Sequence, residues 1–223
     1  EELRSMATVS LEDALAIHQS GDLEQAEKAY LDIVMNDPGN SEALKLLGVL
    51  ACQRQNFDDG ISYLEAAIQN DDSVAEYHLA MARALLSTGK VEEGVASLTR
   101  ASELDPGRAE IFATLGDVLQ QVQKFGEALH SYQRALVIEP SNLKLIVNSG
   151  LCAVFAGQHE TAREYLELAQ SEDGSIPQVH YGLAMISAEA DDKPGAKAHI
   201  DEALKLDPEN PEYQRLQKEF SAS

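Results

Sequence analysis

The residues of this chain best suited to metal or acid–base chemistry are six histidines and two cysteines, and their spacing argues against both roles. His159 and Glu160 begin an H-E-x-x-H pattern, in which two imidazoles one helical turn apart hold zinc while the glutamate activates water. The place of the second ligand is taken by Arg163, a cation, so the metal reading fails. No other two histidines have ligand spacing. His78 and His180 stand where a large packing residue belongs, His130 and His199 lie on later helical stretches, and His18 is alone near the first turn. There is no phosphate-binding glycine loop, no G-x-S-x-G motif and no local Cys/His pair. The chain is therefore expected to have no catalytic residue, no metal and no cofactor, and not to be an enzyme.

What positions these side chains is an internal repeat. Sliding the sequence by 34 places aligns Ala14, Gly48, Ala82, Gly116, Gly150 and Ala184, all small. A second small column holds Ala26, Gly60, Gly94, Ala128, Ala162 and Ala196. Four residues further on comes a large apolar column of Tyr30, Leu64, Leu98, Tyr132, Leu166 and Ile200. Three residues beyond it stand Ile33, Ala67, Ala101, Ala135, Ala169 and Ala203. Each unit closes at Pro38, Asp72, Pro106, Pro140, Gly174 or Pro208, residues that do not readily continue a helix.

Within a unit the spacing is helical. Phe112, Leu115, Gly116 and Leu119 recur at i, i+3, i+4 and i+7, which predicts one apolar helix face. A turn at Gln123 and Lys124 follows, as Gly89 and Lys90 do one unit earlier, and a second helix runs from about Glu127 to Ile138. Small residues at 116 and 128 let the two helices approach closely, and Tyr132 fills the space beside them. Pro194 falls at the start of a second helix, where its missing N–H costs little.

The pattern Ala26-x3-Tyr30…Pro38 and Ala128-x3-Tyr132…Pro140 resembles the tetratricopeptide signature, a 34-residue helix–turn–helix repeat. The resemblance covers residues 7–210 as six gapless units, 7–40, 41–74, 75–108, 109–142, 143–176 and 177–210, of a bacterial type. It implies an all-α fold, a right-handed superhelical α-solenoid of antiparallel helix pairs forming one domain. Residues 1–6 read as an N-terminal extension. Residues 211–223 read as a capping helix and tail, with Tyr213, Leu216 and Phe220 on one face of a polar segment. In the first unit Ser10 and Asp13 occupy slots that are large and apolar elsewhere, which predicts a weak inner face, frayed or covered by the preceding residues. The stretch 170–175 lacks the usual proline and reads as a looser joint.

Composition bounds the partners. With 17 basic and 38 acidic residues the formal charge is −21, concentrated in the first unit, where seven acids face one base. Nucleic acid and anionic membrane surfaces both require basic footprints, so neither is expected. No run approaches a membrane span. Cys52 and Cys152 lie three repeats apart, and in a solenoid each repeat touches only its neighbours, so both are expected as free thiols. That favours the cytoplasm, with a periplasmic location the alternative if a signal peptide precedes Glu1.

Function is then expected in the groove lined by the first helices, at the second, fifth, ninth and twelfth position of each unit. These slots place Leu11 and Leu15 at one end, Lys45, Val49, Leu79, Arg83 and Asp117 in a mixed middle, and Val147, Leu151, Val154, Tyr181 and Met185, with Phe155 beside them, at an apolar C-terminal end. The expected role is a protein–protein interaction scaffold that holds a partner peptide or helix in this groove during assembly of a multiprotein complex. Its apolar end either anchors the partner or is covered by the capping helix, by the joint at 171–175 or by another copy of the chain. The resemblance also implies a negative. The Lys and Asn clamp by which some family members grip acidic chaperone tails is missing, since its slots hold Leu11, Leu15 and Val49 beside Lys45, with only Arg83 fitting beyond them. Asn148 likewise stands alone in its slot. Two alternatives remain open: the substrate-presenting region of a larger glycosyltransferase, sulfotransferase or methyltransferase, suggested by the runs Leu15–Gly21 and Leu46–Ala51, and a periplasmic assembly or secretion factor.

Overall fold

A computed structural model describes residues 9–222, with side chains through residue 220. Among the described residues there are thirteen helices and no strand, in two compact units that divide between Pro106 and Gly107. The first unit holds α1 (Leu11–Gln19), α2 (Leu23–Asn36), α3 (Ser41–Gln53), α4 (Phe57–Asn70), α5 (Ala75–Ser87) and α6 (Val91–Leu104). The second holds α7 (Ala109–Gln121), α8 (Phe125–Ile138), α9 (Leu143–Phe155), α10 (His159–Glu172), α11 (Pro177–Glu189), α12 (Lys193–Leu206) and α13 (Pro211–Ala222). In each unit the helices pack in sequential pairs, α3 on α4, α5 on α6, α7 on α8, and so on. This is the all-α repeat of helix pairs that the columns predict.

The columns are the core. Tyr30, Leu64 and Leu98 in the first unit, and Tyr132, Leu166 and Ile200 in the second, are wholly enclosed, as are Ala67, Ala101, Ala135, Ala169 and Ala203. Smallness in the other two columns is a steric requirement. A Cβ on Gly48 would stand 2.6 Å from Leu64 Cγ and 2.9 Å from the Gly60 carbonyl, so α3 and α4 meet almost backbone to backbone. The turn inside every repeat needs a left-handed residue, and the six that supply it are again 34 apart: Gly21, Gln55, Gly89, Gln123, Gly157 and Asp191, with φ between 58° and 88°.

Two expectations change. Ser10 and Asp13 are not a failed inner face but the start of the helix. The Ser10 hydroxyl accepts from the Asp13 N–H at 3.1 Å and donates to its carboxylate at 2.6 Å, so α1 begins late and has 9 residues against 13 in α3. Val9, just before α1, packs against the Ala14–Tyr30 core, and the residues before it lie outside the described ones. The joint after α10 is not loose either: Asp173 Oδ1 accepts from the N–H and hydroxyl of Ser175 at 2.8 and 2.5 Å, a closed Asx turn that does the work of the absent proline. The capping helix is as expected, with Tyr213 buried and Leu216 and Phe220 packed against Ala184, Ile200 and Ala203.

Candidate functional site

Each unit presents a cleft between consecutive first helices. In the first unit it lies between α3 and α5 and encloses about 410 Å3. Val49, Cys52 and Leu64 line its interior with Ala80 and Ala84, while Lys45, Glu76 and Arg83 are the charged side chains that line it. The space exists because α5 carries small residues, Ala80 and Ala84, where larger side chains would fill it. Lys45 is held by Glu42 at 2.7 Å and Arg83 is exposed, so this cleft offers both signs of charge around an apolar interior. In the second unit the corresponding cleft, of about 380 Å3 between α9 and α11, is lined by Leu143, Val147, Leu151 and Ile176 with Lys144, Asn148 and Gln178. No acidic side chain lines it.

A hydrogen-bond network stands behind this second cleft. The Tyr132 hydroxyl lies 2.7 Å from Asp117 and 2.8 Å from Gln120, and donates its single hydrogen to the carboxylate. Asn148 Nδ2 donates to that hydroxyl and to Asp117, each at 3.4 Å, and Lys144 Nζ reaches the carboxylate at 3.5 Å. Burial, then the Asp117 acceptor, pushes the Tyr132 phenol far above its ordinary range, so it remains a donor. The first unit solves the same problem with His18, which joins the Tyr30 hydroxyl at 3.2 Å to Gln53 at 2.9 Å. His18 is therefore part of a structural chain of hydrogen bonds.

The sequence-derived groove residues divide on inspection. Lys45, Val49 and Arg83 come together in the first cleft and Leu151 in the second, while Asp117 sits in the network beside it. Leu79 is corrected: α5 meets α3, α4 and α6, and Leu79 is fully enclosed. Val154 is 6% exposed and belongs to the core, and Val147 at 8% forms only the floor of its cleft, because a short branched side chain does not reach the rim. Leu11 packs against the Ala14–Tyr30 core, leaving Leu15 36% exposed. At the C-terminal end Tyr181 lies against Tyr213 of α13, ring centroids 5.1 Å apart, so the cap covers part of the expected apolar stretch. Phe155 stacks on Phe125 at 4.8 Å, and Met185 is half-buried. Phe57, Gln53 and Ile176 line the clefts although the helix slots did not single them out, and Gln178 lines one from the second slot of its unit. Ile176 precedes its helix and Phe57 begins a second helix, so a rule restricted to first helices passes over both.

Neither cleft holds a nucleophile poised on a base. Burial raises the Cys52 thiol above its usual range and, together with Asp117, pushes Cys152 up to about 12, so both are held as thiols. Among the described residues no three His, Cys, Asp or Glu side chains converge to hold a metal, and no helix is long and apolar enough to cross a membrane.

Comparison with known proteins agrees with this geometry. Two family models, both described as tetratricopeptide repeat, match residues 17–84 and 153–219 and residues 79–142. A search of curated proteins finds no match. Among solved structures, YrrB, described as "a TPR protein with an unusual peptide-binding site", superposes with a TM-score of 0.78 at 16% identity, over 86% of this chain and 99% of that one. PilF of Pseudomonas aeruginosa gives 0.66 at 21% identity, over 93% and 95% of the two chains. The MamA protein gives 0.66 at 22% identity, over 74% and 90%. At these identities the likeness is one of fold.

Proposed function

Since the chain belongs to the tetratricopeptide repeat family, we propose that it is a protein-interaction scaffold whose first-helix clefts take up a peptide or helix of a partner during assembly of a multiprotein complex. The observation that carries this reading is the α3–α5 cleft, an apolar interior lined also by Lys45, Glu76 and Arg83. An apolar side chain of the partner loses water inside, while charges of both signs set its register. The α9–α11 cleft adds an acid-free apolar recess in an otherwise strongly acidic protein, which suits an apolar anchor residue. YrrB supports the reading by analogy, as a neighbour in fold whose description names a peptide-binding site. The chain's charge disfavours nucleic acid, and its two free thiols suit a reducing compartment such as the cytoplasm.

The test is site-specific photo-crosslinking in source cells, with the probe placed in the full chain at Val49, at Leu151 or at Met35. Met35 is apolar, 78% exposed and outside both clefts, so it controls for exposure alone. The same discrete adducts are expected from the two cleft positions and not from Met35, and Lys45→Glu should suppress the Val49 adduct. Equal labelling from Met35, or adducts indifferent to Lys45→Glu, would overturn the reading.

A further inference from the structure

Two joints in this chain are built on the same Asp–Ser turn and histidine and differ in what stands beside the histidine. Where α4 ends, Asp71 Oδ1 accepts from the N–H and hydroxyl of Ser73 at 3.0 and 2.6 Å, and His78 Nε2 lies 3.0 Å from the Asp72 carbonyl. Where α10 ends, Asp173 makes the same turn with Ser175, and His180 Nε2 lies 3.0 Å from the Gly174 carbonyl. These are the two joints without proline. A carbonyl only accepts, so Nε2 carries the hydrogen in both histidines and Nδ1 of the neutral ring bears the lone pair.

The difference lies on the following second helix, where Ser97 in the first unit corresponds to His199 in the second. His78 shares a cavity with Ser97, Glu65 and Glu93. His180 instead has the His199 ring 6.0 Å away, and its buried Nδ1 has no hydrogen-bond partner. The charged groups facing this pair are Arg163 and Glu167 of α10 and Asp192 and Glu202 of the α12 region. Those of α9 look elsewhere, Lys144 and Cys152 toward Asp117, and Glu212, Arg215 and Glu219 of α13 face Tyr181. Burial, then His180 and Arg163, holds the His199 imidazole below its ordinary range.

We propose that the pair of His180 and His199 makes the joint between α10 and α11 an acid-operated release that its counterpart between α4 and α5 lacks. The buried Nδ1 of His180 has no hydrogen-bond partner, and the His199 ring stands 6.0 Å away with the Arg163 guanidinium among the groups facing it. Opening the joint returns the His199 ring to water, where its charged form is no longer penalised by burial. The open form therefore binds more protons. The closed joint keeps its full stability above the ordinary histidine value of about 6.5 and loses it as pH falls toward the lowered value of His199. The segment so released carries Ile176 and Gln178, which wall the α9–α11 cleft. Only that last consequence rests on the cleft being a docking site.

Hydrogen exchange of the full chain, read by mass spectrometry at about pH 7.5 and about pH 5 and corrected for the intrinsic pH dependence of exchange, tests the proposal without a ligand. Residues 173–206 are expected to exchange about tenfold faster at the lower pH, and residues 71–104 to change less than about threefold. His199→Ser, which copies Ser97, should abolish the acid response. Should that variant lose protection at neutral pH, His199→Tyr, the residue found in this slot at Tyr63 and Tyr165, takes its place. Equal responses at the two joints, no response, or an undiminished response in the variant would overturn the proposal. So would a proton NMR titration placing the His199 midpoint at or above about 6.5.

Discussion

Replacing Gly48 by alanine is expected to destabilise the protein, although alanine occupies the same slot in three other repeats. An added Cβ would stand 2.6 Å from Leu64 Cγ and 2.9 Å from the Gly60 carbonyl oxygen. Leu64 is fully enclosed and has no room to turn away. The carbonyl is backbone, so reaching the 3.4 Å of ordinary contact from 2.9 Å requires α3 and α4 to part by about half an ångström. Overpacking of this kind costs about 1–3 kcal/mol. Alanine in a helix interior recovers about 1 kcal/mol over glycine, so the net loss should be up to about 2 kcal/mol. Gly126→Ala is the reference, because nothing lies within 4 Å of its Cβ and only the propensity gain remains. Urea unfolding followed by helical circular dichroism measures the difference, and hydrogen exchange should localise the Gly48 loss to α3 and α4. A Gly48→Ala protein as stable as the Gly126→Ala protein would refute the close approach of these helices.

Gln123 holds φ at 61° in a slot filled by Gly21, Gly89 and Gly157 in other repeats, so Gln123→Gly should relieve strain and raise stability by up to about 1 kcal/mol, checked by thermal unfolding. Cys152, fully buried with its thiol pushed up to about 12, should resist iodoacetamide in the native protein, while the half-buried Cys52 is alkylated slowly. Peptide mapping after timed labelling reads both rates, and faster reaction at Cys152 than at Cys52 would contradict the packing around Asp117 and Tyr132.

Repetition explains why so much of the architecture was legible. A small residue at 48 means little alone; six small residues at one spacing reveal a steric demand that six helix pairs share. The same holds for the left-handed turn residue and the enclosed alanines from Ala67 to Ala203. Helix starts were less legible, since Ser10 and Asp13 looked like a weakened core stripe until the hydrogen bonds showed a cap. The proline-free joint after α10 looked loose for a similar reason: an Asx turn is drawn by a side chain reaching two residues ahead, and it leaves no mark on hydrophobic periodicity.

The sequence by itself determined the repeat, the helix pairs and the direction in which each side chain leaves its helix, because these follow from local geometry that recurs every 34 residues. It did not determine what stands opposite. Tertiary packing decided that Leu79 and Val154 are core while Val49 and Leu151 line clefts, that Tyr181 meets a ring from α13, and that His180 faces the His199 imidazole where His78 has Ser97 beside it. Those outcomes depend on the size and charge of residues on neighbouring helices, and the period of one helix carries no record of them.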